Sequence, residues 1–306
     1  MRCQCLVSVS LILLISACAG VPQNHPTAAA REWSKGETLV EIKDKRIDES
    51  SGICASRTED GIYYTHNDSG DVARFFRFDR KGQILAVFNV TNAAKAVDWE
   101  DIASATVGGK PYIYCGDIGD NKEVRKQIYV YRVPEPPPGG NGEDKPVQAD
   151  RVYTLTYPDH AHNAETLMVN PANGDIYIVT KTSKKPSKVY KLAHPGVSGT
   201  YVLKRIGEIE VGAPGSFGHL ITGGDISPDS KHVVVRTYVE ALEYDVSANF
   251  DDWFEQTPRH VRTNFEFQGE GICYSRNGQA LLTTSEGSPC QVSEGNLKGA
   301  APGKNN

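Results

Sequence analysis

Ser51-Gly-Ile-Cys54, Glu100-Asp-Ile-Ala103, Glu165-Thr-Leu-Met168, Gly224-Asp-Ile-Ser227 and Glu270-Gly-Ile-Cys273 are five versions of one phrase, spaced 49, 65, 59 and 46 residues apart. Each opens a β-like run, followed by a turn and a second apolar run: Ile62-Tyr-Tyr-Thr65, Tyr112-Ile-Tyr-Cys115, Ile176-Tyr-Ile-Val179, Val233-Val-Val235 and Ala280-Leu-Leu-Thr283. A strand-rich unit recurring at roughly 40–60 residues is the signature of a β-propeller blade. The reading is therefore an all-β chain forming a five-bladed β-propeller.

Working outward, four blades have enough sequence for four strands each, and the fifth does not. After Ala280–Thr284 and a short run at Gln291–Glu294, the chain turns into Gly, Ala, Pro, Lys and Asn. A segment of strand composition, Glu37-Thr-Leu-Val-Glu-Ile-Lys43, stands unused before the first blade. Donated to the last blade, it closes the ring and removes a sheet edge. The fourth strands of blades three and four are expected at Tyr201–Glu210 and His260–Phe267. In the second blade, Pro134-Glu-Pro-Pro-Pro-Gly-Gly-Asn-Gly142 reads as a surface insertion without core-forming residues. The expected organisation is a signal peptide over 1–18, a tether over 19–35, the propeller over 36–296 and a disordered tail over 297–306.

The 306 residues, 39% hydrophobic, suffice for one large domain with its own core. A net charge of −5 and a pI near 5.9 provide no field for binding a nucleic-acid polymer. The Lys181–Lys188 stretch reads as a solvated turn. At the N-terminus Arg2 and the apolar run Leu11–Ile15 are too short to be a permanent membrane span. They lead into Ile15-Ser-Ala-Cys18, which resembles a bacterial lipobox and implies lipidation of Cys18. The chain is then exported and held at the cell envelope by its lipid anchor alone, at the outer membrane in a Gram-negative host because Ala19 is not Asp. Four cysteines fall in the folded part (Cys54, Cys115, Cys273 and Cys290), where disulfides and buried free thiols are both open.

In a blade the first strand begins, and the second ends, at the same mouth of the ring. Glu100, Glu165 and Glu270, with Ser51, should therefore converge on the axis as a hard-oxygen cage suited to Ca2+. The alternative is a wet channel in which Lys181 and Arg236 neutralise the acids directly. No His or Cys cluster has zinc spacing. The loops after the second strands supply further candidates: Asn67, Asp68, Asn121, Arg125 and Tyr238 to bind a ligand, and Asp117, Asp120 or Glu286 to orient a water. Lys181 and Arg236 would stabilise developing charge. His66, His160, His162 and His219 are potential general bases, and Trp99 is expected to wedge between blades.

The order Ser51, Glu100, Glu165, a fourth small residue, Glu270 resembles the axial calcium site of the calcium-activated apyrases. That resemblance implies a five-bladed propeller hydrolysing nucleoside di- and triphosphates. It departs at Gly224, where the pattern wants a hydroxyl. The phrases Asp98-Trp-Glu-Asp-Ile102, Gly116-Asp-Ile-Gly-Asp-Asn121 and Asp225-Ile-Ser-Pro-Asp229 are similar to those of exported bacterial propeller lipoproteins, a largely uncharacterised group. Together these point to a calcium-dependent hydrolase of a phosphorylated or other anionic small molecule. The alternative is a non-catalytic envelope-binding propeller whose metal is structural.

Overall fold

The computed structural model describes residues 31–93, 97–183 and 185–299; Cys18, the signal peptide and most of the expected tether and tail lie outside them. Blade I consists of Ser50–Ala55, Ile62–Asn67, Arg74–Asp79 and Ile84–Val90, each antiparallel to the next. Successive side chains of a strand point to opposite faces. Ile53, Ala55, Tyr63, Phe76 and Phe78 accordingly pack against the last blade, and Cys54, Tyr64, Phe75, Ala86 and Phe88 against blade II. A sheet apolar on both faces must be sandwiched between two others, and repeating such a unit closes a ring. Among the described residues, five apolar layers fill the five blade interfaces.

Blade II is built on Trp99–Val107, Lys110–Asp117, Ile128–Pro134 and Arg151–Thr156. Blade III comprises Ala164–Val169, Ile176–Thr180, Ser187–Leu192 and Lys204–Ile209. Blade IV comprises Ile221–Ile226, His232–Thr237, Ala241–Asp245 and Arg259–Val261. Blade V has Gly269–Tyr274, Ala280–Ser285 and Cys290–Asn296, and its outer strand is the N-terminal Glu37–Ile42, paired antiparallel from Glu37↔Glu294 to Ile42↔Cys290. The expected five blades and N-terminal closure are present. Trp33 and Ser34 also run beside the end of blade V, with Trp33 bridged to Leu297.

Two edges depart from expectation. The insertion at 134–142 does not merely loop outward: it delivers Glu143–Val147 as a fifth, parallel strand on Ile84–Val90 of the neighbouring blade. Its carbonyls at Pro137 and Gly139 take the Arg77 guanidinium at 2.9 and 3.1 Å, and Glu135 receives the Arg57 N–H at 3.0 Å. An outer strand is a row of unpaired backbone groups, and a polar segment within reach covers it without needing apolar residues. In the same way Gly199–Val202 leaves blade III and pairs parallel with Arg151–Thr156 of blade II. The expected run at Tyr201–Glu210 is therefore two strands in two blades, and the outer strand of blade IV is Arg259–Val261 rather than His260–Phe267.

Two carboxylates of the repeated phrase tie blades together. Asp101 accepts the Ile102 N–H and, from blade III, the Leu167 N–H, both at 2.8 Å; Asp225 accepts those of Ile226 and, from blade V, Tyr274 at 2.8 and 2.9 Å. Trp99 is the expected wedge, stacked on Tyr131 at 6.0 Å and edge-on to His66 at 5.8 Å. Cys54, Cys115, Cys273 and Cys290 are all free and buried, and burial pushes the Cys54 and Cys273 thiols well up.

Candidate metal centre and active-site mouth

Each inner strand carries a bulge at its mouth end, and the bulge selects the axial side chain. Pairing skips Ser51 between Ser50↔Asn67 and Gly52↔His66, Glu100 between Trp99↔Asp117 and Asp101↔Gly116, and Glu165 between Ala164↔Thr180 and Thr166↔Val179. In blade V Glu270 lies within the skipped stretch between Gly269↔Ser285 and Ile272↔Thr283. A bulged residue leaves the ladder, which re-aims its side chain. In blade IV the skipped residue is Thr222, between Ile221↔Thr237 and Gly223↔Arg236, and not Gly224. Thr222 Oγ1 donates to the Gly269 and Glu270 carbonyls at 3.0 and 3.1 Å, as Ser51 Oγ donates to the Glu100 carbonyl at 2.8 Å. The blade IV phrase has slipped two residues along its strand, and a hydroxyl occupies the place where Gly224 was expected. Gly224 lies against blade III, where a Cβ would meet Thr166 Cγ2 at 2.9 Å.

The axial glutamates divide into two groups. Glu100 is buried and joins Asp68 and Asp98, with one oxygen of each within 4.8 Å of the other two. Ser51 Oγ lies 3.0 Å from Glu100 Oε2. The second group is a chain of hydrogen bonds. Asn163 Nδ2 donates to Glu165 Oε1 at 3.2 Å, Lys181 Nζ donates to Glu165 Oε2 at 2.5 Å and to the Tyr238 hydroxyl at 2.8 Å, and Tyr238 donates to Glu270 Oε1 at 3.0 Å. The other Glu270 oxygen is buried without a hydrogen-bond partner. Burial drives the Glu270 carboxyl up to about 8, reinforced by Glu165 and opposed by Lys181. Burial pushes Asp98 up to about 7, with Asp68 adding to the shift. Glu100 is raised well above the ordinary range by burial and then by Glu165, Asp68 and Asp98. Glu286 is raised by burial, Asp68 and Glu49. Desolvated like charges favour the protonated form, and a cation relieves them.

Other candidates serve the loops. Asp117 is fully buried and receives Arg125 at 2.7 Å and the Asp98 N–H at 3.1 Å. Asp120 accepts the Arg125 N–H at 2.6 Å, and Arg125 also donates to the Gly119 carbonyl at 2.7 Å. These bonds fold the 117–125 loop so that Gly119 lies against the acids, where a Cβ would stand 2.5 Å from Asp98 Oδ2 and Glu100 Oε1. Asn67 fastens the segment before blade I through the Arg46 carbonyl at 2.7 Å and Asp71 at 2.9 Å, and Asn121 accepts from Asn163 at 3.2 Å. Glu286 remains at the mouth, hydrogen-bonded to Gln268 at 2.8 Å.

Arg236 does not face the axial glutamates. It is buried against Glu266 and donates to the Gly271 and Thr284 carbonyls at 3.0 and 3.1 Å. The salt-bridged channel therefore holds only for Lys181, and the Lys181–Lys188 stretch begins with a half-buried residue engaged with Glu165 rather than a solvated one. His66 and His219 bind neighbouring carbonyls from buried positions. Sequence reasoning missed Thr222, Asp98, Asn163 and Glu266. Asp98 and Asn163 carried a local signal, each two residues before an axial glutamate, Glu100 and Glu165.

Fold and site together define the class: a five-bladed β-propeller with a carboxylate-rich mouth. No known family matches the chain, and no curated protein matches it in sequence. Among solved structures, one that it is similar to is a gluconolactonase from Xanthomonas campestris, at 13% identity and a TM-score of 0.45, covering 86% of each chain.

Proposed function

We propose that the mouth binds a divalent cation, with calcium as the ion, and acts as a cation-dependent hydrolase of a phosphorylated or other anionic small molecule. The observation that carries this reading is the gathering of Asp68, Asp98, Glu100, Glu165, Glu270 and Glu286 at one desolvated mouth, where Lys181 engages Glu165. Asp68, Asp98 and Glu100 fit the ion: oxygens within 4.8 Å of one another match opposed ligands about 2.4 Å from calcium. A cation there would supply the positive charge that holds an anionic substrate and polarises the bond to be cleaved. Lys181 and Tyr238 present an ammonium and a hydroxyl beside it, and Glu286, a half-buried acid at the mouth, would accept a proton from water. With Cys18 lipidated, the propeller would work at the cell envelope, tethered to the membrane through its lipid alone.

The test is a screen of the purified protein against nucleotides, phosphate esters and lactones, with calcium or with chelator. Turnover of one class that is lost in chelator and in Glu100→Gln supports the reading. Calcium-dependent stabilisation without turnover of any class overturns the hydrolase and leaves a structural metal.

A further inference from the structure

The loop that enters blade III carries Asp159, His160 and His162, and one ligand atom from each lies within 4.8 Å of the other two. Ligands 2.0–2.1 Å from a tetrahedral zinc ion stand about 3.4 Å apart, so modest side-chain rotation brings the three into range. Two further observations point to a cation. His160 Nδ1 lies 3.0 Å from the Ala161 carbonyl. A proton donated there leaves Nε2 as a bare lone pair, the arrangement by which proteins orient a ligating imidazole. Two of the three also already hold a positive charge: Lys188 Nζ stands 2.7 Å from Asp159 Oδ2 and 3.3 Å from His162 Nε2.

Lys188 belongs to the third strand of the blade, two strands out from the axial glutamates, and its flexible stem reaches solvent with a side chain about one-fifth exposed. Tyr190, on the same strand, places its hydroxyl 2.8 Å from His162 Nε2 and 3.0 Å from Asp159 Oδ1. Tyr157 closes one side, its ring 4.9 Å from that of His162. Asp159 and His160 are exposed, so an ion has a way in.

We propose that Asp159, His160 and His162 form a second metal site, separate from the carboxylate mouth, which takes zinc or a similar borderline dication as Lys188 withdraws to solvent. Two imidazoles and one carboxylate are a nitrogen–oxygen set that suits zinc and not calcium. Three protein ligands leave a fourth position for water. The site stands independently of the function proposed for the mouth.

The experiment is equilibrium dialysis of the metal-free full chain against micromolar zinc in excess calcium, with bound zinc read by mass spectrometry. We expect one zinc per chain in the wild type and in Glu165→Gln. His160→Ala, at an exposed position, should lose it while keeping its melting temperature, the double variant His160→Ala/His162→Ala should lose it as well, and Lys188→Met should bind more tightly because its competing charge is gone. Cobalt in place of zinc should give ligand-field bands without thiolate charge transfer, which separates this site from the cysteines. Absence of zinc uptake by the wild type, zinc retained in the double histidine variant, or a thiolate band with cobalt would each overturn the proposal.

Discussion

Replacing Lys181 by Met tests how the mouth holds its charge. The ammonium lies 2.5 Å from Glu165 Oε2, and the Glu165 side chain is 5% exposed. Burial already raises the Glu165 carboxyl, with Lys181 opposing that shift. Removing one partner of a buried ion pair costs about 3–5 kcal/mol, because the remaining charge keeps its desolvation penalty. At ~2 °C per kcal/mol for a chain of this size, the melting temperature in chelator should fall by roughly 6–10 °C. Calcium should restore more in this variant than in the wild type, since Glu165 becomes available to the cation's field. Linkage contributes about 2.7 kcal/mol at a hundredfold excess over the dissociation constant. The assay is scanning calorimetry in chelator and across a calcium titration. The double variant Lys181→Met/Glu165→Gln should recover most of the loss, because neither charge remains. A Lys181→Met protein within about 0.5 kcal/mol of the wild type in chelator, or one whose calcium response equals the wild type's, would refute the reasoning.

Three further outcomes are expected. Glu270 and Asp98 have folded-state pKa values of about 8 and about 7, raised chiefly by burial from 4.5 and 3.8. The folded chain therefore binds more protons than the unfolded chain between those values, and without calcium its stability should fall as pH rises from about 4 to 8, by up to ~1.4 kcal/mol per pH unit for each titrating group. Denaturant melts across that range check it, and Glu270→Gln should flatten the upper part. Deleting residues 36–45 removes the outer strand of blade V and exposes a sheet edge, so thermal melts should show loss of most of the stability; an unchanged melt contradicts the closure argument. Cys18→Ser should move the protein from membrane to soluble fractions and abolish lipid labelling, and unchanged fractionation removes the lipobox reading.

The comparison of phrase and bulge shows why a site is harder to read than a fold. Aligning residues by their neighbours in sequence put Gly224 on the axis, because Gly-Asp-Ile matched the other copies. Pairing with the adjacent strand put Thr222 there instead, because bulge position is decided by register and packing against the next blade. Arg236 similarly lies near the mouth end of the strand His232–Thr237, yet its partner, Glu266, comes from the loop entering the next blade. His160 and His162 read along the chain as separate potential bases, and only when the chain turns are they aligned with Asp159 and with Lys188 and Tyr190, 26 to 31 residues away.

By itself the sequence determined the all-β class, the five blades and closure by a strand within Glu37–Lys43, which pairs as Glu37–Ile42. Those features follow from periodicity and local composition, which are written along the chain. The tertiary structure alone decided that Glu100 joins Asp68 and Asp98, that Glu165 and Glu270 are chained through Lys181 and Tyr238, and that polar segments cover the outer edges of blades I and II. The physical reason is that charge pairing and edge pairing depend on distances across blades, and residues 32 to 66 positions apart in sequence meet there only once neighbouring blades have packed.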